Sequence, residues 1–149
     1  NDSTFQFDET KAHDNRWMHR PRIDWSRADQ HRRHGTVEQR IFDGLKRMIA
    51  VRKSTPAFAD YNNRTLIETG NTHLFVFIRN NPYVPNDRVL VVANFDGSPQ
   101  SLTLGDLGNR GYFEFGQLRD LYSGEAPSQY KDQLVIPPYR FYWLTDSGL

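Results

Sequence analysis

The chain has 149 residues, of which 37% are hydrophobic and 13% aromatic, with no cysteine; this fits one domain with or without an appendage and argues against wholesale disorder. The missing thiols exclude disulfides, thiolate zinc sites and cysteine nucleophiles, while the lack of an apolar run near the roughly 18 residues of a membrane span, and of a signal-peptide pattern at the start, leads us to expect a soluble chain with no membrane partner. The net charge of +1, from 19 Lys+Arg against 18 Asp+Glu, conceals a basic front end.

Residues 1–35 show neither helical nor strand periodicity over a useful length, yet they hold Phe5, Phe7, Trp17, Met18, Ile23 and Trp25. A long aromatic-bearing stretch of this kind points to a functional loop rather than to disorder. Between residues 11 and 34, Lys11, Arg16, Arg20, Arg22, Arg27, Arg32 and Arg33 stand with four histidines against Asp14, Asp24 and Asp29. Such charge could neutralise phosphates while Trp17, Trp25 and His19 stack on bases. No recognised module motif accompanies it, so no nucleic-acid partner is expected.

From Thr36 the pattern predicts a helix over 36–54. Thr36 and Gln39 form a T-x-x-Q capping box. Val37, Ile41, Leu45, Met48 and Ile49 make an apolar stripe, with Arg52 and Lys53 at the negative end of the dipole. Pro56 then excludes helical geometry at Thr55.

The rest reads as β. Runs at 65–69 and 72–79, separated by Gly70-Asn71, predict a hairpin with a two-residue turn. Residues 88–95 are apolar on both faces, which predicts a central strand, closed by the turn sequence Asp96-Gly97-Ser98-Pro99. Further strands are expected at 101–104, 118–122, 133–136 and 139–144, giving about seven in all and an antiparallel sandwich. Glycines and Asn109 break any pattern over 105–116.

Spacing shows no nucleotide loop, no G-x-S-x-G elbow and no H-E-x-x-H. His31 and His34 could chelate if helical, but the arginines between them repel a cation, so no metal and no cofactor are expected. Asp8 and Glu9 are sequence neighbours that point apart in an extended chain, a poor acid/base pair. The densest cluster of chemistry is 14–21, Asp14-Asn15-Arg16-Trp17-Met18-His19-Arg20-Pro21. An arginine fork suits a carboxylate or paired hydroxyls, and an indole offers a flat face to a sugar or base. A self-paired structural loop accounts for the same residues equally well.

The string Lys11-Ala12-His13-Asp14-Asn15-Arg16-Trp17-Met18-His19-Arg20-Pro21 resembles the loop after the eighth barrel strand in amylosucrases and sucrose hydrolases of the α-amylase superfamily, glycoside hydrolase family 13. Residues 44–58 are similar to that superfamily's last barrel helix and its exit. The strand running into Asp96-Gly97, and Pro137-Pro138-Tyr139 with Trp143-Leu144, resemble its C-terminal β domain. The loop is the discriminating part; the rest says only α-amylase superfamily.

The resemblance implies a mainly β fold: residues 1–58 as a barrel remnant, comprising a long loop and the last helix of a (β/α)8 barrel, and 59–149 as a C-terminal antiparallel β-sandwich domain. The Asn at position 1 then lies just after barrel strand eight, in a piece of something longer. In the family a nucleophilic aspartate, a glutamate acid/base and a second aspartate come from earlier strands, so no catalytic residue is expected here. Arg16 matches the arginine that closes the sucrose pocket. Asp14, Trp17 and His19 share its motif as loop-shaping residues first and substrate contacts second. The implied partners are sucrose, α-glucan and the remainder of the barrel. The alternative is a carbohydrate-binding or barrel-supporting β module without chemistry.

Overall fold

The computed structural model describes residues 4–14, 16–19, 23–109 and 118–146. Expectations that fall on Asn15, Arg20, Pro21 and residues 110–116 lie outside the described residues, and for Met18 and His19 the backbone alone is described. Two compact units divide the chain, residues 1–45 and 46–149.

The first unit is not a structureless loop. A 3-10 turn at Thr4–Phe7, helices α1 (Arg16–His19) and α2 (Trp25–Ala28) and a second 3-10 turn at Asp29–Arg32 follow one another. None is long enough to show periodicity, which is why the sequence pattern misses them. Their cause is side-chain capping: the Asp24 carboxylate accepts from the amides of Ser26 and Arg27, and so starts α2.

Helix α3 (Val37–Ser54) begins and ends where predicted. The Gln39 amide donates to Thr36 Oγ1 at 3.1 Å, but Gln39 Oε1 accepts from the Gly35 amide at 2.8 Å rather than from Thr36. The box therefore closes one residue earlier, because the Thr36 amide is already directed at the Arg33 carbonyl. Thr55 is extended, with φ −105° and ψ 107°, ahead of Pro56. No residue of α3 is buried, and Val37, Ile41, Leu45 and Ile49 are each more than half exposed.

The second unit is an antiparallel β-sandwich with eight strands among the described residues, rather than about seven: β1 (Arg64–Leu66), β2 (Leu74–Asn80), β3 (Arg88–Asn94), β4 (Gln100–Thr103), β5 (Arg119–Asp120), β6 (Gln129–Tyr130), β7 (Gln133–Ile136) and β8 (Phe141–Thr145). One sheet has the order β1-β2-β3-β8-β5 and the other β4-β7-β6. Helix α4 (Leu104–Asn109) follows β4 directly, in the glycine-broken stretch that the sequence leaves unread.

As its two-faced apolar pattern predicts, β3 is central, paired with β2 on one side and β8 on the other. Its alternate residues feed two cores. Leu90 and Val92 join Val76, Ile78, Leu134, Ile136 and Leu144 between the sheets. Val89 and Val91 pack on the opposite face against Ala57 and Phe58, the plug that follows α3, and the Phe58 ring lies 5.0 Å from that of Trp143. Asn94, almost wholly buried, joins the sheets: its Nδ2 donates to the carbonyls of Ser98 (2.9 Å), Ile136 (3.1 Å) and Pro137 (3.0 Å). Its Oδ1 accepts from the Asp96 amide at 2.8 Å.

Two turns depart from expectation. Gly70 has φ 72° but Asn71 is not among the positive-φ residues, so no two-residue turn forms. Asn71 instead binds the His73 amide through Oδ1 and donates to Gln100 Oε1, and β1 and β2 are joined by residues 67–73. The two-residue turn occurs at Lys131-Asp132, between the paired Tyr130 and Gln133, with Lys131 at φ 56°. A lysine there carries no turn signal.

Candidate functional site

The predicted site residues lie in the first unit, on the turn that runs into α1. The Lys11 and Ala12 amides both donate to the Asp8 carbonyl, a single helical turn that folds the chain back. The Asp8 carboxylate accepts from Thr10 Oγ1 at 2.6 Å and from the Thr10 amide at 3.0 Å, and pairs with Lys11 Nζ at 2.7 Å. These hydrogen bonds, Lys11 first and Thr10 second, hold the Asp8 carboxyl down at about 2. Lys11 also stands 5.1 Å above the Trp17 ring, a cation over an indole face.

Asp14 and Arg16 are brought together, and tightly. Arg16 Nε donates to both Asp14 oxygens at 2.9 Å, and Nη2 lies 2.7 Å from Oδ2. The Arg16 backbone amide donates to Asp14 Oδ1 at 3.0 Å. The hydrogen bond and the charge of Asp14 both raise the guanidinium pKa. One edge of the guanidinium is thus fixed by Asp14, while the side chain remains 76% exposed; among the described residues nothing else binds its outer edge, which can take an oxygen ligand without first being ordered. Trp17, at 45% exposure, follows on the same turn of α1, and the backbone of His19 closes that helix.

Lys11, read in the sequence only as one of the basic residues and as the start of the string, joins the cluster as the partner of Asp8 and Trp17. The signal was available in the Asp8–Lys11 spacing of three, which is contact distance on a helical turn. Among the described residues no group of three or more His, Cys, Asp or Glu could hold a metal ion, and no helix is long and apolar enough to cross a membrane.

The family described as maltogenic amylase, C-terminal domain, matches residues 64–143, more than half of the chain. This chain belongs to that family. The match starts at the first residue of β1 and ends within β8, so the sandwich is a glycoside hydrolase family 13 C-terminal domain. Solved structures agree on the fold. AmyP in complex with maltose is 20% identical with a TM-score of 0.55, over 76% of this chain and 23% of that one. A pullulanase from Bacillus acidopullulyticus is 19% identical with a TM-score of 0.54, over 83% of this chain and 15% of that one. The chain therefore spans less than a quarter of either. Within this C-terminal domain, Asn94 ties the two sheets together. The loop with Arg16 lies outside the matched residues.

Proposed function

We propose that the chain is the C-terminal part of a sucrose-acting retaining enzyme, an amylosucrase-like glucosyltransferase or sucrose hydrolase, in which residues 1–58 complete a (β/α)8 barrel and 59–149 form the C-terminal β domain. The observation that carries this reading is the Arg16 fork, held by Asp14 inside a string that resembles the amylosucrase loop. Retaining chemistry needs two carboxyls roughly 5 Å apart across the scissile bond; on this reading they belong to barrel strands outside residues 1–149. Arg16 contacts sucrose hydroxyls with its outer edge and pairs with a pocket carboxylate, Asp14 fixes its orientation, and Trp17 and His19 shape the loop around the sugar. The exposed stripe of Val37, Ile41, Leu45 and Ile49 on α3 packs on the rest of the barrel. Glucosyl passes from sucrose to α-glucan or water.

Arg16→Ala and Arg16→Lys in the longer enzyme test this. Loss of one charged hydrogen-bonding group at the reacting sugar lowers sucrose turnover about ten- to a thousandfold, with the melting temperature unchanged. Lys recovers little, since an ammonium lacks the planar fork. Near-normal turnover in Arg16→Ala, or parallel loss of stability and activity with rescue by Lys, refutes the assignment.

A further inference from the structure

We propose that the β domain carries a saccharide-binding site of its own, in an open cavity of about 250 Å³ whose lining includes Tyr122, Glu125, Ser128, Arg140, Phe141 and Tyr142. This rests on the reading of the chain as part of a saccharide-processing enzyme, but it uses nothing from residues 8–19.

The walls are built on fixed backbone. The buried Asp120 carboxylate accepts from the amides of Tyr122 (3.3 Å), Ser123 (2.9 Å) and Trp143 (2.8 Å) and from Ser123 Oγ (2.7 Å), which ties the turn after β5 to β8. The Asp120 amide donates to the Glu125 carbonyl at 2.8 Å, and Arg119 Nε to the Gly124 carbonyl at 3.0 Å. On the facing side the Arg140 amide donates to the Pro137 carbonyl, while its own carbonyl accepts from Asn94. The Tyr122 and Phe141 rings are 5.0 Å apart, and Arg47 stands 4.9 Å over Tyr122 while donating to the Ser123 carbonyl. A ligand here would meet walls that need little ordering.

The chemistry selects the ligand class. Among the described residues neither Glu125 nor Arg140 has an ion-pair partner, and the hydroxyls of Tyr122 and Tyr142 have no hydrogen-bond partner. The carboxylate repels an anion and the guanidinium repels a cation. A neutral polyhydroxylated ring satisfies both, one hydroxyl donating to Glu125 and another accepting from Arg140, with its apolar face against the aromatic residues. The volume lies below the roughly 300–1,000 Å³ of sites for drug-sized ligands, which suits one terminal sugar ring with the remaining chain leaving through the mouth.

The whole cavity lies in residues 120–142, so the 149-residue chain can be tested as it stands, by calorimetric titration with maltoheptaose. The unaltered chain binds. Arg140→Ala and Glu125→Gln, both exposed positions, each weaken binding about tenfold or more with unchanged circular dichroism and melting temperature, and Arg16→Ala leaves binding as it was. Absence of binding by the unaltered chain overturns the proposal, as does equal affinity in the Arg140 and Glu125 variants or loss of binding in Arg16→Ala alone. Sucrose turnover by the longer enzyme reports separately on the reading beneath it: that activity can be present when this site fails, and the two Arg140 and Glu125 variants leave it unchanged.

Discussion

Among the described residues between Thr4 and Gly35, the aspartate bonds that set the turns span two or three residues. Asp8 holds Thr10 and Lys11, Asp14 holds Arg16, and Asp24 holds Ser26 and Arg27; Phe5 is the one hydrophobic residue buried there among the described residues. In the sandwich, by contrast, Leu90 is opposite Leu144 and Asn94 reaches Ile136, and twelve apolar residues among those described form one core. Short-range polar bonds set the shape of a loop while leaving its side chains facing solvent, where a ligand can meet them; long-range burial sets stability. The difference leaves the Arg16 side chain, the centre of the proposed sucrose contact, on a segment held by local bonds rather than by the large core.

The largest effect expected is from Leu90→Ala, which removes a fully buried side chain from the inter-sheet core and costs about 2–5 kcal/mol in urea denaturation. A loss under about 1 kcal/mol would break the comparison. Next comes Asn94→Ala, which removes the shared donor to the Ser98, Ile136 and Pro137 carbonyls and costs about 1–3 kcal/mol. Asn94→Asp does no better, because an oxygen then faces three carbonyl oxygens. The paired change Ile41→Lys and Leu45→Lys, on exposed positions of α3, shifts stability by no more than about 0.5 kcal/mol. It abolishes the self-association that the exposed apolar stripe of α3 leads us to expect of the 149-residue chain, read by size exclusion with light scattering.

Smaller still, Asp24→Ala leaves the melting temperature in place and speeds amide exchange at Ser26 and Arg27 a few-fold; a global loss of stability would show the first unit to be more cooperative than its local bonds imply. Finally, the Asp8 carboxyl is held at about 2 against an ordinary 3.8. A depressed carboxyl contributes order above its unfolded value and loses it as pH falls through the folded one. The Thr10 amide resonance should therefore move between about pH 4 and pH 2 while β3 amides do not.

The sandwich was legible where burial repeats along the chain. Two apolar faces at 88–95 mark a central strand, and T-x-x-Q with Pro56 brackets α3. What escaped was set by single side chains. The Asp24 cap and the Asp8 turn involve too few residues to produce a period, and α4 forms despite glycines because Leu104 and Leu107 are buried in the core. Gly70-Asn71 misleads because the Asn71 amide group is drawn to His73 and Gln100 instead of to a tight turn. At the site, the string identifies Arg16, but its clamp by Asp14 two residues back depends on the chain turning into α1, which spacing does not reveal.

Among the strands described, the one translated last is an interior one of the larger sheet: β8 lies between β3 and β5. Until residues 141–145 leave the ribosome, β1, β2 and β3 can pair while β3 presents an open row of amides and carbonyls along residues 90–93, and β5 has no neighbour. Such an edge is a template for another chain. A nascent chain therefore carries an unpaired inner edge from the emergence of β3 until that of β8, and proteolytic trimming within β8 would open the sheet through its middle and expose the same edge.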